Sequence, residues 1–362
     1  MDDLRRTILA VSAVGLILAG ATYLRPVAFF DSHLEVAIRT ELRIGNRPIT
    51  RIDLLRLTEL HAAKRGVVRL DGIENCRNLR YLDLSENHIS DLEPLAGLKR
   101  LETLILRSNY VENVSPLSGL THLSKLDLDF NTVADASPLS DLRNLTWLGL
   151  WDSRIRDVSP LAGLTKLTNL GLGGNPIEDP KPLSNLKNLE WLGLPNTGIE
   201  NISFLSGMTS LVKLSLGGNR ISDLSPLSNL TNLEGLGLSD NRITDISPLS
   251  GLTRLQRLSL WGNSISDVSA LAGMTELVKL WLDRNPIEDI TPLSHLTSID
   301  ILGLSETLVT DLTPLLENPG LGEGDELDLS DTALDLSDGS TARVAIEKLK
   351  ARGVKVLSGS GG

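Results

Sequence analysis

Cysteine, aromatic rings and positive charge are all in short supply in this chain of 362 residues, and each shortage excludes something. A single cysteine, Cys76, rules out a disulfide framework and a cysteine-built zinc site. It stands where equivalent segments carry Leu or Met, so it reads as a buried apolar side chain rather than a reactive thiol. With aromatic residues at 3%, the core must be aliphatic. Lysine and arginine number 35 against 46 acidic residues, and the net charge of −11 argues against nucleic acid or an acidic membrane surface as partner. No activated nucleophile, glycine-rich phosphate loop or metal-ligand cluster accompanies these traits. The chain therefore reads as non-enzymatic, with no catalytic residue, no metal site and no cofactor.

What the sequence has in abundance is leucine at a fixed interval. Leu233–Arg254, LEGLGLSDNRITDISPLSGLTR, defines a twenty-two-residue pattern that recurs without insertion. With Leu233 as position 1, repeats begin at Leu57, Leu79, Leu101, Leu123, Leu145, Leu167, Leu189, Leu211, Leu233, Leu255, Leu277 and Ile299. Position 4 is Leu in all twelve, position 6 is Leu in all but Ala62, and position 11 is always Val or Ile. A fixed period of this length signals a solenoid. Positions 3 to 7 alternate x-Leu-x-Leu-x, a short strand with its leucines on one side, and parallel stacking about 4.8 Å apart turns those leucines into one core.

The remaining conserved-in-register positions shape the turns. Position 9 is Asn in Asn87, Asn109, Asn131, Asn175, Asn219, Asn241, Asn263 and Asn285, and Ser or Thr in Ser153, Thr197 and Thr307. It reads as an inward group that bonds the backbone of a buried bend. Ser or Thr at position 15 followed by Pro at 16, as in Ser115-Pro116 and Ser247-Pro248, reads as an N-cap hydroxyl opening a single 3₁₀-like turn. The acid or amide at position 13, such as Asp245, reads as an Asx-type start of that turn.

Different grammar governs the ends. Residues 1–24 place Arg5 and Arg6 before an apolar run from Ile8 to Ala21, which reads as an export signal cleaved near Ala19-Gly20-Ala21, or as a retained membrane anchor through Leu24. Residues 30–56 read as a helical N-terminal cap, with Leu34, Ile38 and Leu42 on one face, Asp31 or Ser32 as N-cap, and a second short helix at ITRIDLLRL. The repeats span 57–320. Residues 321–357 read as a C-terminal cap: a restarted strand at Leu327 and Leu329, a helix over 340–352 with Val344, Ala345 and Leu349 inward, a stop at Gly353, and a last strand at Val354-Lys355-Val356. Residues 358–362 read as a flexible tail.

The pattern LxxLxLxxNxIxDxxPLxxLxx, with its lead-in DSHLEVAIRTEL and ITRIDLLRLTEL, resembles the leucine-rich repeats of internalin-type bacterial surface proteins over about residues 30–357. The resemblance implies an α/β repeat fold, a right-handed leucine-rich-repeat solenoid with a parallel concave β-sheet, 3₁₀-type convex turns and helical caps at both ends. It also implies a non-catalytic binding protein, exported and either secreted or associated with the cell envelope. The chain carries no LPxTG-like sorting sequence.

On such a solenoid, positions 3, 5 and 7 project onto the concave sheet and position 8 flanks them. All five tryptophans fall there: Trp147 and Trp191 at position 3, Trp281 at 5, and Trp151 and Trp261 at 7, with Tyr81 at 3 and Phe130 at 8. Position 5 is small among them, as Gly149, Gly171, Gly193, Ser215, Gly237 and Ser259. A glycine floor between tryptophan walls suits a peptide or a sugar chain, so these seven aromatics are the candidate ligand-binding residues. A protein or peptide is the expected partner and a glycan or cell-wall polymer the alternative, with membrane contact only through an uncleaved N-terminal segment. Two competing readings are rings that merely fill glycine hollows, and a cytoplasmic scaffold or phosphatase-regulator role as in intracellular proteins with similar repeats. The earlier strip containing His61, Asp83, Arg107, Lys125, Asp127 and Asp129 reads as solvated mixed charge.

Overall fold

A computed structural model describes residues 24–359. Of the segment read as export signal or anchor only Leu24 lies within that range, and residues 360–362 of the tail lie outside it. Among the described residues no helix is long and apolar enough to cross a membrane. The chain divides into two compact units between Arg154 and Ile155.

In the first unit, helix α1 (Ser32–Leu42) and the single turn α2 (Arg51–Leu54) precede five strands: β1 (Glu59–His61), β2 (Tyr81–Asp83), β3 (Thr103–Ile105), β4 (Lys125–Asp127) and β5 (Trp147–Gly149). They run parallel and pair equivalent positions, Glu59 with Tyr81, Tyr81 with Thr103, Thr103 with Lys125 and Lys125 with Trp147. Each step is one repeat, so Leu60, Leu82, Leu104, Leu126 and Leu148 fall into one buried file. Burying each such side chain contributes roughly 1.5–3 kcal/mol.

The second unit repeats this arrangement in β6 (Asn169–Gly171), β7 (Trp191–Gly193), β8 (Lys213–Ser215), β9 (Gly235–Gly237), β10 (Arg257–Ser259), β11 (Lys279–Trp281) and β12 (Ile301–Gly303). Two longer strands follow, β13 (Glu326–Ser330) and β14 (Lys355–Gly359). Ile301 pairs with Glu326, a step three residues longer than those before it, which is the phase slip visible in the sequence. The extra residues are taken up on the return side, where the short helix α3 (Thr313–Glu317) replaces the usual 3₁₀ turn.

Strand pairing covers positions 3 to 5, and backbone bonds to the next repeat continue beyond it, as from Ala62 N–H to Asp83 O (2.8 Å) and Lys64 N–H to Ser85 O (2.9 Å), until the chain turns at position 8. There Lys64, Glu86, Ser108, Phe130 and Asp152 in the first unit, and Asn196, Asp240, Arg284 and Glu306 in the second, adopt left-handed φ. Gly174, Gly218 and Gly262 occupy the same site at no steric cost. The buried bend beyond is satisfied by position 9 as its residue type requires. Asn87 Oδ1 accepts from the backbone N–H groups of Arg65 (3.1 Å) and Val67 (2.9 Å), while Nδ2 donates to Ala62 O and Leu84 O (both 2.8 Å). Asn219 does the same for Thr197 and Ile199 in the second unit. Where the amide is replaced, Thr197 and Thr307 donate their hydroxyls to Leu194 O and Leu304 O, whereas the buried Ser153 hydroxyl has no partner.

The return turns correct one expectation. Ser at position 15 is not the N-cap but the first residue of the turn, as in Ser115–Leu117 and Ser247–Leu249, and no side chain at the preceding residue caps it. The carboxylate or amide at position 13 supplies the bond instead: Asp245 Oδ1 accepts from Ser247 N–H and Asn113 Oδ1 from Ser115 N–H, at 2.8 and 2.9 Å. A turn of three residues is too short to orient a hydroxyl back onto its own N–H groups, so the Asx bond from two residues upstream takes over.

Both caps form. Asp31 caps α1 through His33 and Leu34 N–H, and its second oxygen accepts from Val68 and Arg69 N–H, tying the helix to the first repeat. Thr50 and Asp53 form a capping box on α2, and Arg47 clamps Asp53. At the other end, α4 (Thr341–Ala351) buries Ala342, Ala345, Ile346 and Leu349. Val344, expected inward, is 39% exposed, because the helical period from Leu349 selects 345, 346 and 342. Ser358 and Gly359, expected in the tail, pair with Leu329 and Ser330 and complete β14.

Candidate binding faces

Each unit presents a sheet face opposite its leucine file, and the sequence-predicted aromatics lie on these faces. Tyr81, Trp147, Trp151 and Phe130 belong to the first unit; Trp191, Trp261 and Trp281 belong to the second. All five tryptophans are half-buried.

In the first unit the aromatic residues are tied into charged neighbours. Tyr81 leans on His61, with ring centroids 4.9 Å apart. Lys125 Nζ sits 4.7 Å from the Trp147 ring centre, and the Arg107 guanidinium 4.4 Å from that of Phe130. Arg107 also bonds Asp129 at 2.9 Å, and the other Asp129 oxygen accepts from Trp151 N–H at 2.8 Å.

Asp127 and Asp129 depart from the reading of this strip as solvated charge, being 8% and 5% exposed, while His61 and Arg107 stay exposed as expected. The cause is the glycine opposite. Asp127 pairs in register with Gly149, and above Gly149 lie both Asp129 Oδ1 and the six-membered ring of Trp147, 2.6 and 2.7 Å from where a Cβ would stand. Gly149 is therefore a filled hollow, not an open floor. Burial, then the neighbouring Asp129 charge, pushes the Asp127 carboxyl up to about 6. Asp129 is also raised by burial, against the pull of Trp151 N–H and Arg107.

Openness differs sharply along the second unit. Gly171, Gly173 and Gly193 are buried, whereas Gly235 and Gly237 remain half-exposed, with nothing closer to a Cβ than Lys213 Cγ at 3.5 Å and Ser215 Oγ at 3.6 Å. Around them Trp191 and Trp281, with Lys213, Glu234, Gln256 and Arg257, line a groove of about 470 Å³. Trp281 also walls a second groove of about 650 Å³ with Trp261, Asp283 and Asp328. The structure thus brings Trp191 to Trp281 across one groove and Trp261 to Trp281 across the other.

The two aspartates of that second groove escaped sequence reasoning. Asp283 stands at position 7, like Trp261 one repeat earlier, so its column was legible. Asp328 comes after the phase slip, where repeat numbering no longer places a residue. Among the described residues no group of three His, Cys, Asp or Glu side chains could hold a metal ion.

Comparison with known proteins accords with this architecture. A family model described as leucine-rich repeats in two copies matches residues 55–97, 187–229 and 231–273, and a second leucine-rich-repeat model matches 77–133. An internalin (InlF) from Listeria monocytogenes is similar at 32% identity and TM-score 0.84, over 92% of this chain and 96% of its own. A Leptospira interrogans leucine-rich-repeat protein shares the fold at 21% identity and TM-score 0.69, over 81% of both chains. So does the plant peptide hormone receptor RGFR1, solved in complex with RGF2, at 23% identity and TM-score 0.64, over 80% of this chain and 52% of its own. A search among curated proteins returns no significant match. The chain belongs to the internalin family of leucine-rich-repeat proteins.

Proposed function

We propose that this is an exported, non-catalytic binding protein that recognises a protein or peptide partner on the sheet face of its repeats. The contact residues on this reading are Trp147, Trp151, Tyr81 and Phe130 in the first unit and Trp191, Trp261 and Trp281 in the second. The observation that carries it is the groove over Gly235 and Gly237, where the backbone lies open between Trp191 and Trp281. An extended chain gains backbone proximity from the bare floor and apolar area from the walls, while Lys213, Glu234, Gln256 and Arg257 supply polar partners at the rim. The kinship to an internalin supports a binding role, and the receptor solved with RGF2 supports one only by analogy of fold. The net charge of −11 disfavours nucleic acid.

The test is selection of peptides from a random displayed library on the immobilised full chain, followed by binding to a Trp191→Ala/Trp281→Ala variant. Selected peptides are expected to lose at least about tenfold in affinity, as removal of central aromatic anchors does. The melting temperature should stay within a few degrees, since both rings are half-buried. Peptides that bind the variant undiminished, or oligosaccharides that bind this face when no peptide does, overturn the proposal.

A further inference from the structure

The larger groove of the second unit, about 650 Å³, has a composition the smaller one lacks. Its walls are apolar: Trp261, Trp281, Ile301 and Leu357, the last 63% exposed. Its floor is Gly303, which pairs with Trp281 on one side and Asp328 on the other, and Asp328 pairs in turn with Leu357. The Asp283 carboxylate leans over Gly303 into the space its missing side chain leaves. Two half-buried carboxylates therefore flank one gap between an indole and an aliphatic side chain.

Their direct hydrogen-bond partners carry no charge. Asp283 Oδ1 accepts from Ser305 N–H and Oγ–H (both 2.9 Å), and Asp328 Oδ1 from Ser330 N–H (2.9 Å), all neutral donors. The cations lining the groove are engaged elsewhere: Arg284, although it also feels Asp283, bonds Glu306 at 2.8 Å, and Lys355 bonds Glu326 at 3.2 Å. Nearby Lys279 belongs to a separate depression with Asp300, Glu323, Asp325 and Glu326. Among the described residues neither Asp283 nor Asp328 forms an ion pair.

We infer that this groove receives a lysine or arginine side chain from an extended basic segment of the protein partner, an inference that rests on the peptide-binding reading above. A guanidinium or ammonium head between Asp283 and Asp328 gains charge-assisted hydrogen bonds in a partly desolvated site. Its charge is attracted to the faces of Trp261 and Trp281, and its alkyl stem covers Ile301 and Leu357. A neutral sugar could stack and donate hydroxyl hydrogen bonds to the carboxylates but would leave their charge uncompensated, and an anionic segment would be repelled.

The experiment titrates the full chain with two synthetic peptides, acetyl-Gly-Gly-Arg-Gly-Lys-Gly-amide and its analogue with citrulline and norleucine in place of the charged residues, followed by tryptophan fluorescence and calorimetry. The basic peptide is expected to bind at least about tenfold more tightly than the neutral one, and Asp283→Asn/Asp328→Asn to remove about that factor. A charge-matched control, Glu112→Gln/Glu200→Gln, should leave binding within about twofold, separating the groove from long-range attraction to an acidic protein. Equal affinity for the two peptides, or equal loss in the control, overturns the inference. Library-selected peptides that need Trp191 and Trp281 yet bind Asp283→Asn/Asp328→Asn undiminished overturn it while leaving the parent reading standing. If no peptide of either charge depends on Trp191 and Trp281, the parent reading falls too.

Discussion

At the scale of single residues, the informative positions are those that break the repeat's chemistry. Asp127 places a carboxyl between Ile105 and Gly149, its partners in the same column, and its neighbours close over it. Because its folded-state value is raised to about 6, above the ordinary 3.8, the folded protein holds this proton more tightly than the unfolded chain does. Stability from this group is therefore present at low pH and is lost as pH rises from about 4 through about 6. Asp127→Asn keeps an oxygen for Asp129 N–H and removes the charge. We expect it to stabilise the protein at pH 7 by about 1–2 kcal/mol, the shift being discounted for partial solvent access, and to be near neutral at pH 4. Chemical denaturation across that range checks this, and parallel pH profiles for the two proteins would refute it. The sequence exposed the residue type and column of Asp127 but not its burial, which depends on the Trp147 ring swinging over Gly149.

At the scale of the repeat element, each bend demands a left-handed residue at position 8, and Phe130 meets that demand with one of the side chains least suited to it. The cost of about 1–2 kcal/mol is offset in part by the Arg107 stack, worth about 0.5–1 kcal/mol at an exposed site. Asn tolerates this backbone and already occupies it at Asn196. Phe130→Asn should then shift stability by no more than about 0.5 kcal/mol despite removing a large ring. Thermal unfolding measures it: a loss above about 2 kcal/mol would show that Phe130 packs rather than awaits a partner. The asparagine ladder and Asx-capped turns were legible because their bonds are local or reach one repeat away. The left-handed site was not, because glycine fills it in only three repeats of the second unit.

At the scale of the whole chain, the repeats explain how a protein so poor in aromatics and cysteine builds a core: each leucine file lengthens with each repeat, and stability accumulates along it. The helical caps cover the ends, where an apolar layer would otherwise face water. Export belongs at this scale too. Sequencing the N-terminus of the protein recovered from the host should find a start near Thr22 in an extracytoplasmic fraction, or Met1 in the membrane fraction if the segment is retained. A full-length cytosolic product would contradict export.

The sequence by itself determined the repeat length, the leucine core, the buried amide at the bend and the columns that face outward, because a period of twenty-two carries each residue to the same environment in every repeat. Only the tertiary structure decided which glycines are open and which are filled. Gly149 and Gly237 occupy the same position, yet Trp147 and Asp129 crowd the first while the second meets only Ser215 and Leu214 at ordinary van der Waals distance. That difference arises from side chains reaching across neighbouring strands, and periodicity along the chain does not encode it.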